Sequence, residues 1–270
     1  KISEKETRKT LIDPALERAG WNVRNHAQVG LEIPVDGYDK EPWNGVIDYC
    51  LYRPNGEVIA VVEAKRTSHD PRLAQQQAEH YVREISKHQS FQPFAFLTSG
   101  TDIYFLDTGV APKRMVYGFF SPADLENLLF LRQQQKPLNS IAIDNTITDR
   151  AYQHEAIRRV CEAFDAGKRK ALLVMATGTG KTRTTMSIID VFLRANQART
   201  ILFVADRDAL VEQAKTDGFE KFLPNEPCER LYSHSHEFTK RLYAVTLQTL
   251  SQCFEKFSPA FFDLIIFDEV

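Results

Sequence analysis

At 270 residues with 43% apolar side chains, the chain is long enough to bury two cores, and its net charge of −2 removes any overall basic signature for nucleic acid. Four cysteines without a Cys-x-x-Cys pair, and seven histidines without ligand spacing, argue against a zinc site and a disulfide framework and point to a reducing cytoplasm. No apolar run reaches membrane-spanning length, and the charged first residues do not read as a signal peptide.

The segment from Arg8 to Trp21 reads as an amphipathic helix ended by Gly20. Asn55-Gly56 then sits between two apolar runs, 46–53 and 57–65, which is a strong hairpin signal. If those two residues make the turn, Pro54 faces Glu57 and, counting outward, Asp48 faces Glu63. Strand alternation sets Lys65 on the same face. Opposed carboxylates repel, and the apolar neighbours predict a sheet covered on both sides, where uncompensated charge is costly. A divalent cation would remove the difficulty and bind a water that Lys65 could orient or help deprotonate. Asp70-Pro71 reads as a helix start, with Leu73, Ala74, Ala78, Tyr81, Val82 and Ile85 at helical spacing; Gln77 and Tyr81 share one face. Ser121-Pro122 opens a helix carrying Leu125, Leu128, Leu129 and Leu131.

Residues 136–149 are rich in Pro, Asn, Ser, Thr and Asp without helical period and read as a linker. From Arg150 onward strands and helices alternate, as in a parallel αβα domain. Ala171 to Met175 reads as a buried strand, followed by Ala176-Thr177-Gly178-Thr179-Gly180-Lys181-Thr182 and a helix opening at Lys181. The glycines leave backbone N–H groups free to close on phosphate oxygens. The helix dipole favours the same anions, Lys181 would reach the β/γ-phosphates, and the Thr182 hydroxyl would serve Mg²⁺. Ile201 to Ala205 is a second buried strand. Leu264 to Phe267 is a third, ending in Asp268-Glu269, a pair suited to holding Mg²⁺ and activating water. Lys168-Arg169-Lys170 reads as a solvated helix end and His234-Ser235-His236 as a surface loop.

The phosphate loop and Asp268-Glu269 resemble those of superfamily 2 helicases and translocases, although Met175 stands where the general loop pattern has its first glycine. In that resemblance Gln153 reads adenine, Asp206 to Gln213 matches motif Ia, and Ala244 to Thr249 matches a DNA-strand contact. Asp268 orients the metal and Glu269 positions the attacking water. Asp48, Glu63 and Lys65 resemble the PD-(D/E)xK nuclease superfamily, with Ile47 in place of the proline before the first acid; Gln77 and Tyr81 match the Gln-x-x-x-Tyr of its RecB-type members. The N-terminal helix and 94–107 resemble the restriction (motor) subunit of type I restriction–modification enzymes. The resemblance spans nearly the whole chain.

It implies a PD-(D/E)xK nuclease-like α/β domain with a central mixed sheet over 1–135, a linker over 136–149, and over 150–270 the first RecA-like parallel αβα motor lobe. The expected activity is an ATP-dependent DNA translocase that cuts double-stranded DNA away from its recognition site, in the cytoplasm, with methyltransferase and specificity subunits. Mg²⁺ is expected at Asp48 and Glu63, with help from the Ala64 carbonyl. ATP with Mg²⁺ is expected at Gln153, Thr177, Gly178, Thr179, Gly180, Lys181, Thr182 and Asp268. The motor lobe looks unfinished at residue 270, so a longer subunit with a second lobe is expected. The alternatives are a helicase–nuclease of another antiviral or repair system, and a non-catalytic nuclease fold that clamps DNA or docks subunits.

Overall fold

The computed structural model describes residues 4–35, 45–64 and 71–269; Lys65 and Asp70 lie outside them. Two compact units divide the chain, Lys1–Asn127 and Leu128–Val270.

The first unit opens with a helix in three consecutive pieces, α1 (Glu4–Thr7), a π-helical turn Arg8–Ile12 and α2 (Asp13–Arg18). The wide turn immediately precedes Pro14, whose ring would otherwise press on the carbonyl four residues back. At the other end Gly20 takes φ +94°, Gly20 N–H bonds Glu17 O, and Trp21 N–H bonds Leu16 O, a Schellman closure at the glycine the sequence marks. Strands β1 (Val29–Pro34), β2 (Val46–Tyr52), β3 (Val58–Ala64), β4 (Phe94–Thr98), β5 (Ile103–Asp107) and β6 (Ala111–Val116) form one mixed sheet in sequence order. Only β3 and β4 run parallel, so a crossover must join them, and α3 (Pro71–Ser86) supplies it.

That crossover lays Ala74, Ala78, Tyr81 and Val82 of α3 against Cys50, Val61, Ala95 and Leu97 of the sheet. The two alanines allow close approach, and burying Tyr81 or Val82 contributes roughly 1.5–3 kcal/mol each. Leu73, expected on that stripe, is instead exposed, since it lies one residue off the packed face. The other sheet face stacks Phe96 and Phe105 against Phe119 and Phe120, and Trp21 Nε1 donates to Phe120 O. Helix α4 (Pro122–Gln134) starts on a reciprocal cap, Asp124 N–H to Ser121 Oγ and Ser121 N–H to Asp124 Oδ2.

In the second unit α5 (Ala151–Asp165) and α6 (Lys181–Arg194) precede β7 (Ile201–Ala205). There follow α7 (Asp208–Gln213), which continues through a π-helical turn into α8 (Glu220–Phe222), then β8 (Cys228–Arg230), β9 (Leu242–Thr246), α9 (Leu247–Cys253) and β10 (Leu264–Asp268). The strands form a parallel sheet in the order β10-β7-β9-β8. Residues 136–149 add Leu138 and Ile147 to this unit's core, and the Asp165 carboxylate accepts from the Leu138 and Asn139 N–H groups. The expected strand at Ala171 to Met175 is not formed: the segment has no strand pairing, and Leu172 and Val174 are 86% and 89% exposed. An apolar run becomes a strand only where a neighbouring edge takes up its N–H and C=O groups, and among the described residues none does.

Candidate functional site

The hairpin of the first unit reaches the predicted register by an unpredicted route. The loop is one residue longer than a two-residue turn, with Arg53 N–H bonded to Glu57 O and Gly56 at φ +88°. An irregularity between Leu51 and Tyr52 then restores the count, giving Leu51↔Ala60, Cys50↔Val61 and Tyr49↔Val62. One step further along the ladder, Asp48 stands opposite Glu63. Both are buried, at 7% and 1% exposure, on the face covered by α3. Asp48 Oδ2 accepts from Ala64 N–H at 2.7 Å.

Gln77 and Tyr81 come to the same face. Gln77 Nε2 donates to Tyr81 Oη at 2.7 Å, and Tyr81 Oη donates to Val46 O at 3.2 Å. Burial pushes the Tyr81 phenol up to about 12, against the Gln77 hydrogen bond and with the charges of Glu63 and Asp48 adding to it. Burial, reinforced by Glu63, likewise takes the Cys50 thiol to about 12. Lys65 is outside the described residues. Three contacts here escape the sequence reading: Arg8 pairs with Asp48 Oδ1 and, at 3.0 Å, with Glu32, while Tyr49 Oη donates to Asp13 at 2.7 Å. Arg8 opens the helix read from the sequence, but its partner lies 40 residues away and only the fold joins them.

The two carboxylates are of the kind that suits a hard divalent cation. Among the described residues no cluster of three or more His, Cys, Asp or Glu side chains forms a metal site, so such a cation would rest on two carboxylates and backbone or water oxygens.

In the second unit the parallel register carries the site. Asp268 pairs with Ala205, and Ala205 with Thr246, so the C-terminal ends of β10, β7 and β9 lie side by side, with motif-bearing residues at each. Gly178 and Gly180 take φ +78° and +86°, and Gly180 caps α6. A Cβ on Gly180 would run into the Gln153 carboxamide, whereas one on Gly178 meets open space. Gln153 is buried; its Nε2 donates to Thr179 O at 3.0 Å and its Oε1 accepts from Thr148 Oγ1. Tyr152 Oη donates to the same Thr179 carbonyl at 2.8 Å, so α5 braces the loop through two adjacent side chains. Of this pair the sequence reading found only Gln153. Thr179 Oγ1 turns inward to Ala176 O at 2.6 Å, and Thr177 is exposed.

Lys181 Nζ forms an ion pair with Glu269, which brings the two motifs together across 88 residues. That contact raises the Lys181 pKa and lowers that of Glu269, while burial raises that of Asp268 against the attraction of Lys181. Asp208 and Glu212 of the motif Ia segment both pair with Arg230, and Thr246 caps α9 by accepting from Thr249 N–H. No helix among the described residues is long and apolar enough to cross a membrane.

Residues 146–270, all within the second unit, match the family model described as Type III restriction enzyme, res subunit. Over nearly its whole length the chain is similar to the EcoAI type I restriction enzyme endonuclease subunit of Escherichia coli, 33% identical across 96% of this chain and 34% of the relative. The EcoKI endonuclease subunit of Escherichia coli K12 is 28% identical across 79% of this chain and 23% of its own. A mitochondrial ATP-dependent helicase, irc3, of Schizosaccharomyces pombe is 30% identical across 45% of this chain and 20% of its own. The chain thus spans about a third or less of the length of the curated relatives it matches. A solved fragment of a type I HsdR subunit from Vibrio vulnificus YJ016 aligns over 99% of this chain and 51% of its own at 26% identity, with a TM-score of 0.40, too low to weigh on the fold.

Proposed function

We propose that this chain is the nuclease domain, over 1–135, and the opening of the motor, over 150–270, of the endonuclease subunit of a type I restriction–modification system. It would act in the cytoplasm on double-stranded DNA, beside methyltransferase and specificity subunits. The observation that carries the reading is the register that sets Asp48 opposite Glu63 on a buried face, in a chain whose other half matches a restriction-enzyme family model.

In the nuclease half Asp48, Glu63 and the Ala64 carbonyl would hold Mg²⁺, which when bound supplies charge neutralisation and a water acidic enough to attack a phosphodiester near neutral pH. Lys65 would take or orient a proton of that water and stabilise charge on the phosphate. Tyr81, whose phenol stays protonated to about pH 12 and donates to Val46 O, would with Gln77 steady the scissile strand from beneath the site. In the motor half the N–H groups of 177–182 and Lys181 would hold the triphosphate of ATP. Thr182 and Asp268 would hold its Mg²⁺, Glu269 would orient the attacking water, and Gln153 would contribute to the nucleotide site. Lys181 must exchange Glu269 for phosphate when nucleotide enters.

Calorimetric Mn²⁺ binding, wild type against Asp48→Ala without nucleotide, tests the first half. Binding that disappears in the variant supports it; equal binding, or none in either protein, sinks it and leaves a docking module. The match to irc3 favours a second reading of the motor half, duplex unwinding. Strand displacement by the full-length subunit would favour that reading, and ATP-driven movement along DNA without displacement would favour the first.

A further inference from the structure

We propose that Arg8 is the resident counter-ion of Asp48 and must leave it before a divalent cation can bind, so that the N-terminal helix holds the first unit's site closed. The inference rests on the nuclease reading above. Both oxygens of Asp48 already accept hydrogen bonds, Oδ1 from Arg8 and Oδ2 from Ala64 N–H. The backbone bond is fixed by the β2–β3 ladder. The guanidinium is the partner that can move, because it arrives on a long side chain from a helix outside the sheet.

A second carboxylate is placed to receive it. In the β1–β2 register, Leu31 faces Tyr49 and Ile33 faces Ile47, which leaves Glu32 beside Asp48 on the neighbouring strand. Glu32 does not continue the pleat; its φ of +52° lies in the left-handed region, which a non-glycine residue keeps only where the surroundings impose it. The turn leaves the Glu32 side chain 71% exposed and still 3.0 Å from Arg8, while the Asp48 side chain is 10% exposed. Arg8 therefore bridges a buried carboxylate and a solvated one. When a metal takes Asp48 Oδ1, Glu32 can keep the guanidinium at the mouth of the site. The π-helical turn begins at Arg8 itself, and single π-turns within α-helices are frequent at functional sites. A guanidinium and a divalent cation compete for the same oxygen, so removing the first must strengthen binding of the second.

The test uses the full chain and Mn²⁺ alone, without DNA or nucleotide, read by calorimetry and by thermal melting. Arg8→Gln should bind Mn²⁺ about tenfold more tightly than wild type, and Mn²⁺ should raise its melting temperature more than it raises that of wild type. Arg8→Lys, which keeps the charge but loses the fork and should fold if the glutamine variant does not, should bind a few-fold more tightly. Mn²⁺ binding that Asp48→Ala abolishes but the Arg8 variants leave equal or weaker would overturn the proposal and make Arg8 a positioning residue, with the nuclease reading intact. Absence of Mn²⁺ binding in wild type and Arg8 variants alike would remove the nuclease reading and this inference with it.

Discussion

In the first unit the charged groups are folded into the sheet, with Asp48 and Glu63 nearly sealed beneath α3, whereas in the second they stand on its rim, where the Lys181 and Glu269 side chains keep 30% and 53% of their surface exposed. Each site holds an internal cation against a carboxylate, Arg8 on Asp48 and Lys181 on Glu269. The environments make those contacts unequal. A buried carboxylate stripped of its partner is an uncompensated charge in a poorly polarisable interior, while a rim pair is screened by water and contributes little to folding. Hence the first contact is tied to folding stability, and the second can exchange partners at little cost to it.

The sharpest way to break this comparison is Asp48→Ala, which should abolish Mg²⁺-dependent phosphodiester cleavage, at least 100-fold in a plasmid-nicking assay, while nucleotide binding by the second unit is unchanged; near wild-type cutting would unseat Asp48. Next in size is Gly180→Ala, which forces a Cβ into a left-handed residue and against Gln153. It should weaken binding of a fluorescent ATP analogue at least tenfold and cost about 1–3 kcal/mol of stability. Gly178→Ala, at a similar φ but with open space around it, should cost less.

Tyr81→Phe should destabilise by about 1–2 kcal/mol in denaturant titration, because it deletes the hydroxyl that meets Gln77 and the Val46 carbonyl. The pH dependence sharpens the same contrast. The Cys50 thiol and Tyr81 phenol are raised in the folded unit from 9.0 and 10.0 to about 12, so the unfolded chain loses these protons first. Their contribution to stability is complete below pH 9 and is lost as pH rises from there toward 12. Melting of the first unit should therefore fall across that window, and less steeply in Tyr81→Phe. The smallest effect on stability belongs to Lys181→Ala, which should leave the melting temperature without ligand unchanged while losing nucleotide binding; a drop of several degrees would mean the rim pair is structural.

Much of the fold could be read locally. Gly20 closes a helix and Ser121 caps one because those residues satisfy the backbone with atoms a few positions away. The motif order from Gln153 to Glu269 was legible for the same reason, as each motif is a strand end or a helix start. The Asp48–Glu63 register was legible only in its result, since a longer turn and a strand irregularity cancelled. The strand expected at Ala171 to Met175 failed because apolarity says nothing about whether a hydrogen-bonding edge stands beside it.

The sequence by itself determined the glycine-rich loop ahead of α6, the two acidic pairs and the helical face that sets Gln77 over Tyr81, because each depends on spacings within one element or across one hairpin. Only the tertiary structure decided that Arg8 would sit on Asp48, that Tyr152 would join Gln153 on the Thr179 carbonyl, and that Lys181 would meet Glu269. Those contacts join groups 26 to 88 residues apart, and their partners are chosen by the stacking of helices on sheets, which no local pattern encodes.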